Sequence, residues 1–254
     1  MKIREQLASY AYLYGGEWNQ ISDALRKHTA CERVEIPENY ITYFDDAYPV
    51  QLRRLRYPPW VLFYQGDLSL LDKPMMTIVG SRELSEMGKI YTTIAASILK
   101  KKYVIVSGLA KGADAAAHTE ALKGGKTIAV VGCGIAQQYP SCNQYLYQKI
   151  ASSGLILSEY PSFVLPAKHH FPWRNRILAA LGEACIVTEA ANRSGTMLTV
   201  NEALSLSKDI WCFPYPFASE AGAGCDRLIA QGAGILYEVE QLKDLTPQKT
   251  ACEV

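Results

Sequence analysis

From residue 75 onward the chain alternates short apolar runs with helix-length segments, and no other feature limits its fold so tightly. MMTIV (75–79) precedes an amphipathic stretch from Glu86 to Lys102, YVIVS (103–107) precedes Asp114 to Leu122, and KTIAVV (126–131) leads to Asn143 to Ser153. LILSE (155–159) leads to Phe171 to Leu181, and ACIVTE (184–189) to Gly195 to Ser207. IWCF (210–213) runs through a long loop to Asp226 to Gln231, and ILYEV (235–239) closes the series. Strands that are apolar nearly throughout are buried on both faces, and strand–helix–strand units join right-handed into a parallel sheet. The pattern predicts an α/β fold: an extended Rossmann-like, doubly wound, mostly parallel sheet. A closed eight-fold barrel needs about eight such units over ~250 residues, and here the first 70 or so residues read differently.

Residues 2 to 28 have helical spacing (Ile3, Leu7, Tyr10, Ala11, Tyr14, then Ile21, Leu25), broken by Gly15-Gly16. That predicts a short helical hairpin. CERVEIPEN (31–39) reads as a linker, and YPVQLRRLRYPPWVLFYQGD (48–67) as a short helix, a Pro-Pro stop and a strand at Val61 to Tyr64. The chain thus divides into a small helical segment, residues 1–38, and a main domain, residues 39–254. Net charge is +1, so no global field attracts a polyanion and any anion site must be a local cluster. The seven cysteines include no CxxC pair, which fits structural thiols in a reducing cytoplasm. His118, His169 and His170 show no metal-ligand spacing, so neither a metal nor a cofactor is expected. No run is apolar enough to span a bilayer, and charges interrupt the N-terminus where a signal peptide needs a clean core; the expectation is a cytoplasmic protein with no membrane partner.

Ligands of open α/β sheets bind beyond the carboxyl ends of the strands. The loops there are GSRELSEMG (80–88), SGLAKGAD (107–114), GCGIAQQYP (132–140), EYPSFVLPAKHHFPWRNR (159–176) and EAANRSGT (189–196). All but the third carry cations: Arg82, Lys111, Lys168 with Arg174 and Arg176, and Arg193. Backbone amides at the helix starts add oxyanion donors that need no side chain. Together they predict a rim that holds more than one phosphate. Each part also has a plain structural reading. Arg82 can pair with Glu83 or Glu86, Ser107-Gly108 and Gly112 can shape a tight turn, and Ser194 can be an N-cap. Gly132 and Gly134 supply half of a dinucleotide fingerprint, but its third position is Gln137 and no acidic residue follows at the ribose spacing.

KHHFPWRNRIL (168–178) is the most informative stretch. Pro172 suits a first helical turn. Arg174 and Arg176 project about 200° apart on a helix, so one meets the anion while the other turns into the protein, toward Glu189 or Glu159. Phe171 and Trp173 either stack bases or anchor the core. His118 is either a satisfied helix histidine or a general base. No nucleophile–base–orienter set and no P-loop is visible, so the rim reads as built to hold, not to cut.

The ordered series YPVQLRRLRYPPWVLFYQGD, IVGSR, IVSGLAKGAD with AAHTEAL, GKTIAVVGCGI, LSEYP, KHHFPWRNRILAAL, VTEA–RSGT and GAGCDRLIAQGA resembles the DprA/Smf family of bacterial DNA-processing proteins, over roughly residues 45 to 237. The resemblance implies a Rossmann-like protein that binds single-stranded DNA, forms a homodimer, and loads the RecA recombinase onto incoming DNA in natural transformation. It implies phosphate contacts at Arg82, Ser107, Gly108, Lys168, Arg174 and Arg176, with Lys111, Ser194 and Gly195 as weaker members, and no catalytic residues. Departures are GAD at 112–114 for the familiar GID, Ala136 at a commonly acidic position, and FPYPF (213–217) for a Pro-Gly turn. A C-terminal winged helix is expected to be absent, and the N-terminus to be a reduced sterile-alpha-motif-like domain. The leading expectation is sequence-independent single-strand binding. The alternative is a nucleoside-monophosphate phosphoribohydrolase-like enzyme using Glu159 or Glu189 at a ribose, although only RSGT stands where its PGGxGT loop belongs; a third is a protein scaffold.

Overall fold

A computed structural model describes residues 2–245. Helices α1 (Ile3–Leu13) and α2 (Trp18–Arg26) come first, joined through Gly15 and Gly16, both at positive φ. Strands β1 (Asn39–Thr42) and β2 (Val61–Gly66) follow. Between them the expected short helix is a 3-10 turn, Val50–Arg54, because Pro49 starts it and Pro58-Pro59 leave no room for a longer one.

The alternating series then appears as read. It runs β3 (Met75–Val79), α3 (Glu86–Leu99), β4 (Val104–Ser107), α4 (Ala113–Ala121), β5 (Thr127–Val131), α5 (Gln144–Ser153), β6 (Leu155–Ser158) and α6 (His170–Leu181). β7 (Cys185–Val187), α7 (Thr196–Ser205), β8 (Ile210–Cys212), α8 (Ala223–Ala230), β9 (Gly234–Ile235) and α9 (Val239–Asp244) complete it. Nine strands form one sheet in the order β1-β2-β6-β5-β4-β3-β7-β8-β9. Pairings from β6 to β9 are parallel, while β1–β2 and β2–β6 are antiparallel. The doubly wound, mostly parallel α/β sheet is therefore present, with an antiparallel edge that local pattern did not foretell.

Strand alternation sorts the core into two layers. Met76 and Ile78 of β3 pack with Ala95, Leu99 and Ala117 of α3 and α4, whereas Met75 and Val79 join Ile177, Leu181 and Val200 of α6 and α7. Leu7, Tyr10 and Ile21 of α1 and α2 share a third cluster with Val61, Phe63, Val131 and Ile156, so the N-terminal helices are built on the sheet. No helix among the described residues is long and apolar enough to cross a membrane.

The order reverses at β3, which pairs with β4 on one side and β7 on the other. Helix α6 carries the chain across this point. Thr77 Oγ1 donates to the Leu178 carbonyl at 2.7 Å, and Gly182 packs on Thr77 without space for a Cβ, so α6 lies tightly against the sheet.

Candidate nucleic-acid interface

At the carboxyl edge, where the strand order reverses, a groove of about 670 Å³ opens between the start of α6, the loop after β3 and the first turn of α7. Its lining includes Arg82, Lys168, Arg174, Ser194 and Gly195 together. Arg82 and Lys168, far apart in sequence, are exposed on the same groove.

Arg82 has an aromatic neighbour: its guanidinium lies 5.7 Å from the centre of the Phe171 ring. Gly112, at φ +73°, fits against the Ser81–Arg82 backbone, and Ala113 N–H donates to the Ser81 carbonyl at 3.0 Å. The β4–α4 loop thus braces the loop that carries Arg82. Lys111 on that brace is exposed but does not line the groove.

The two arginines of α6 part company as their spacing requires. Arg174 Nη1 donates to the carbonyls of Gly108, at 2.7 Å, and Val130, which fastens the helix start to the ends of β4 and β5. A Cβ at Gly108 would strike this guanidinium, so glycine there makes the seat for Arg174. Burial lowers the pKa of Arg174 and raises that of the neighbouring Asp114 carboxyl, and each charge opposes the shift of the other.

Arg176 is the arginine of the pair that turns into the protein, with Glu159 as its partner. Its Nη2 donates to Glu159 at 2.6 Å, Nε to the Tyr57 carbonyl at 2.9 Å and Nη1 to the Trp173 carbonyl at 2.8 Å, so every guanidinium nitrogen is engaged. Ser107 is likewise internal: fully buried, its Oγ donates to the Ile78 carbonyl at 2.6 Å and ties β4 to β3. Among the described residues Glu189 meets no arginine; it accepts from Ser85 N–H at 3.0 Å and from the Ser85 hydroxyl, fixing the start of α3.

The first turn of α7 lines the groove, and no side chain caps it. Gly195, not Ser194, takes the N-cap position, and Ser194 Oγ makes no hydrogen bond among the described residues. Thr196 Oγ1 donates to the Gly80 carbonyl at 2.9 Å and joins this turn to the end of β3. The Met197 and Leu198 amides of this turn donate to the Ser194 and Gly195 carbonyls at 3.2 Å, and the positive end of the helix dipole faces the groove.

Of the two aromatics on α6, Phe171 lines the groove, while Trp173 lies against Tyr57 and the Arg176 guanidinium. Tyr139, which sequence reasoning passed over, is exposed on the groove with its ring 5.6 Å from Phe171. Its loop was the one without a cation, and a search for charge misses a neutral ring. Glu83 and Asp114 also border the groove and reduce its positive field. His118 is fully buried, with Nδ1 2.7 Å from Thr127 Oγ1, and has no access to a ligand here.

A family model described as DNA recombination-mediator protein A matches residues 39–247. The DNA processing protein DprA of Streptococcus pneumoniae is 41% identical over 218 residues, covering 85% of this chain and 76% of that protein. The X-ray structure of DprA from Streptococcus pneumoniae superposes with a TM-score of 0.84 at 32% identity, covering 97% of this chain and 99% of that one. DNA processing protein A from Helicobacter pylori, a structure described for its single-stranded DNA binding mode, gives a TM-score of 0.74 at 32% identity, covering 82% and 95%.

Proposed function

The chain belongs to the DNA recombination-mediator protein A family of DNA processing proteins, and on that premise we propose that it binds single-stranded DNA without reading its sequence, in the groove where the strand order reverses. One observation carries this reading: Arg82, Lys168 and Arg174 share one groove with the uncapped start of α7. Arg82 and Lys168 pair with phosphates, Arg174 supplies a charge already fixed in place, and the positive dipole end of α7 favours a further phosphate. Phe171 and Tyr139 offer ring faces for bases, a contact worth ~1–3 kcal/mol per base and tolerant of base identity. A bulky cation at position 82 suits an open-ended polyanion, whereas a dinucleotide site places glycine there so that backbone can approach the pyrophosphate.

With about three phosphates neutralised per chain, the binding constant should fall with salt at a log–log slope near −2, at ~0.7 per phosphate for single strands. Fluorescence anisotropy with labelled oligo-dT tests this. Arg82→Ala and Lys168→Ala should each weaken binding and flatten the slope by about 0.7. Unchanged binding in both variants would remove the groove from the account.

The resemblance extends the proposal to a homodimer, which doubles the footprint and adds avidity, and to transfer of the strand to the RecA recombinase during natural transformation. Sedimentation of the pure chain tests the first, and RecA filament assembly on coated single strands the second. Nucleotide hydrolysis has less support, because Glu159 and Glu189, the carboxylates it needs, are buried in internal contacts.

A further inference from the structure

Three side chains with metal-ligand chemistry meet where the N-terminal helices touch the start of α6. Their spacing in the sequence gave no sign of this, since Glu17 lies far from His169 and His170. The Glu17 carboxylate Oε1 is 3.7 Å from Nε2 of His169 and 3.7 Å from Nε2 of His170. One donor atom from each of the three residues lies within 4.8 Å of the others. These separations are too long for hydrogen bonds. The carboxylate-to-imidazole pair distances lie a few tenths of an ångström above the ~3.3 Å edge of a tetrahedron with ~2.0–2.1 Å zinc bonds. The Glu17 and His169 side chains are the exposed members of the cluster, and they are the ones that must turn to close on an ion.

The surroundings hold the cluster in place. His170 is 5% exposed, stacks on Tyr160 with ring centres 4.1 Å apart, and has a buried Nδ1 with no partner among the described residues. Glu17 is brought there by the Gly15-Gly16 turn. Gly16, at φ +79°, sits so close to the Glu159–Tyr160 backbone that a Cβ would come within 2.5 Å of the Glu159 carbonyl oxygen. The turn therefore docks on the residue against which His170 stacks. The starts of α2 and α6 both direct positive dipole ends here, which opposes a cation and is offset in part by the Glu17 charge. Two imidazoles favour a transition metal over magnesium or calcium, which take oxygen ligands.

We propose that Glu17, His169 and His170 form a three-ligand site for a divalent transition-metal ion of the zinc class, with the fourth position open to solvent. The bound ion fastens the N-terminal helical pair to the start of α6. Lys168 and Phe171 flank the two histidines and line the groove, so occupancy also stiffens one groove edge. The assignment does not depend on what the groove binds.

The test is titration of the full, reduced chain, free of any histidine tag, with Co²⁺ as a spectroscopic probe. One equivalent should give visible d–d absorption without the near-ultraviolet charge-transfer band of a cysteine-bound ion, and Zn²⁺ should displace it. His169→Ala and Glu17→Gln, changes at partly exposed positions, should each weaken Co²⁺ binding by at least about tenfold, the loss expected even for an outer-shell partner. Added Zn²⁺ should raise the melting temperature of the parent chain and not that of His169→Ala. Absence of d–d absorption at millimolar Co²⁺, a spectrum dominated by thiolate bands, or affinity unchanged from the parent in both variants would overturn the proposal.

Discussion

His118 shows how one buried group sets acid stability. The Thr127 hydroxyl donates to the Ile105 carbonyl, so it must accept from His118 Nδ1–H, and this leaves Nε2 as a buried lone pair without a partner among the described residues. Burial pushes this imidazole down to about 3, and the Arg174 charge adds in the same direction. The unfolded chain takes the proton near ~6.5, while the folded chain resists it down to about 3. The unfolded state therefore binds more protons throughout that window, and stability falls as the pH drops through it. At pH 5 the loss amounts to ~2 kcal/mol, at 1.36 kcal/mol per pKa unit. Denaturant melts at pH 7 and pH 5 should show it, and His118→Asn, which keeps a donor for Thr127 but cannot ionise, should flatten the dependence by that amount. The same slope in the variant would contradict the argument. The residue type and its helix were legible in the sequence; the missing Nε2 partner was not, because it depends on packing.

Among the elements, α6 joins groove and core. Helical geometry alone required Arg174 and Arg176 to diverge; which one faced the groove depended on where Gly108 and Glu159 lay in the sheet, and only the fold supplies that. The parallel strands were readable because their nearly unbroken apolar runs demand two covered faces. The antiparallel edge was not, since β2 pairs with β6 through backbone hydrogen bonds that carry no sequence signature. The groove's cations were found by type and position, whereas Tyr139 and the Glu17–His169–His170 cluster required three-dimensional proximity. The division of labour on α6 can be tested. Glu159→Ala leaves Arg176 buried without its carboxylate and should cost ~3–5 kcal/mol of stability. In denaturant titration that loss should be plain, while anisotropy on the folded protein should show single-strand affinity close to the parent. Arg174→Ala should reduce the affinity. An affinity loss in Glu159→Ala as large as that in Arg82→Ala would place Arg176 back among the DNA contacts.

For the whole molecule, the question is whether the first 38 residues are a separate attachment or part of the working unit. Leu7 and Tyr10 are fully buried and Ile21 nearly so, all within the cluster that holds Phe63 and Ile156 of the sheet. Trp18 stacks on Trp60 with ring centres 5.7 Å apart and meets Tyr57 edge-on at 5.0 Å. Tyr57 in turn lies 5.5 Å from Trp173 of α6. An aromatic chain thus runs from the appendage to the helix that presents Phe171 and Arg174, with Lys168 just before its start. Three large side chains at ~1.5–3 kcal/mol each approach the whole stability of a domain, ~5–15 kcal/mol. A chain lacking residues 1–38 should therefore melt at clearly lower temperature or aggregate, with weaker oligo-dT binding where it remains folded. If it keeps the parent's melting temperature and affinity, the N-terminal helices are passengers, and the groove stands on the sheet alone.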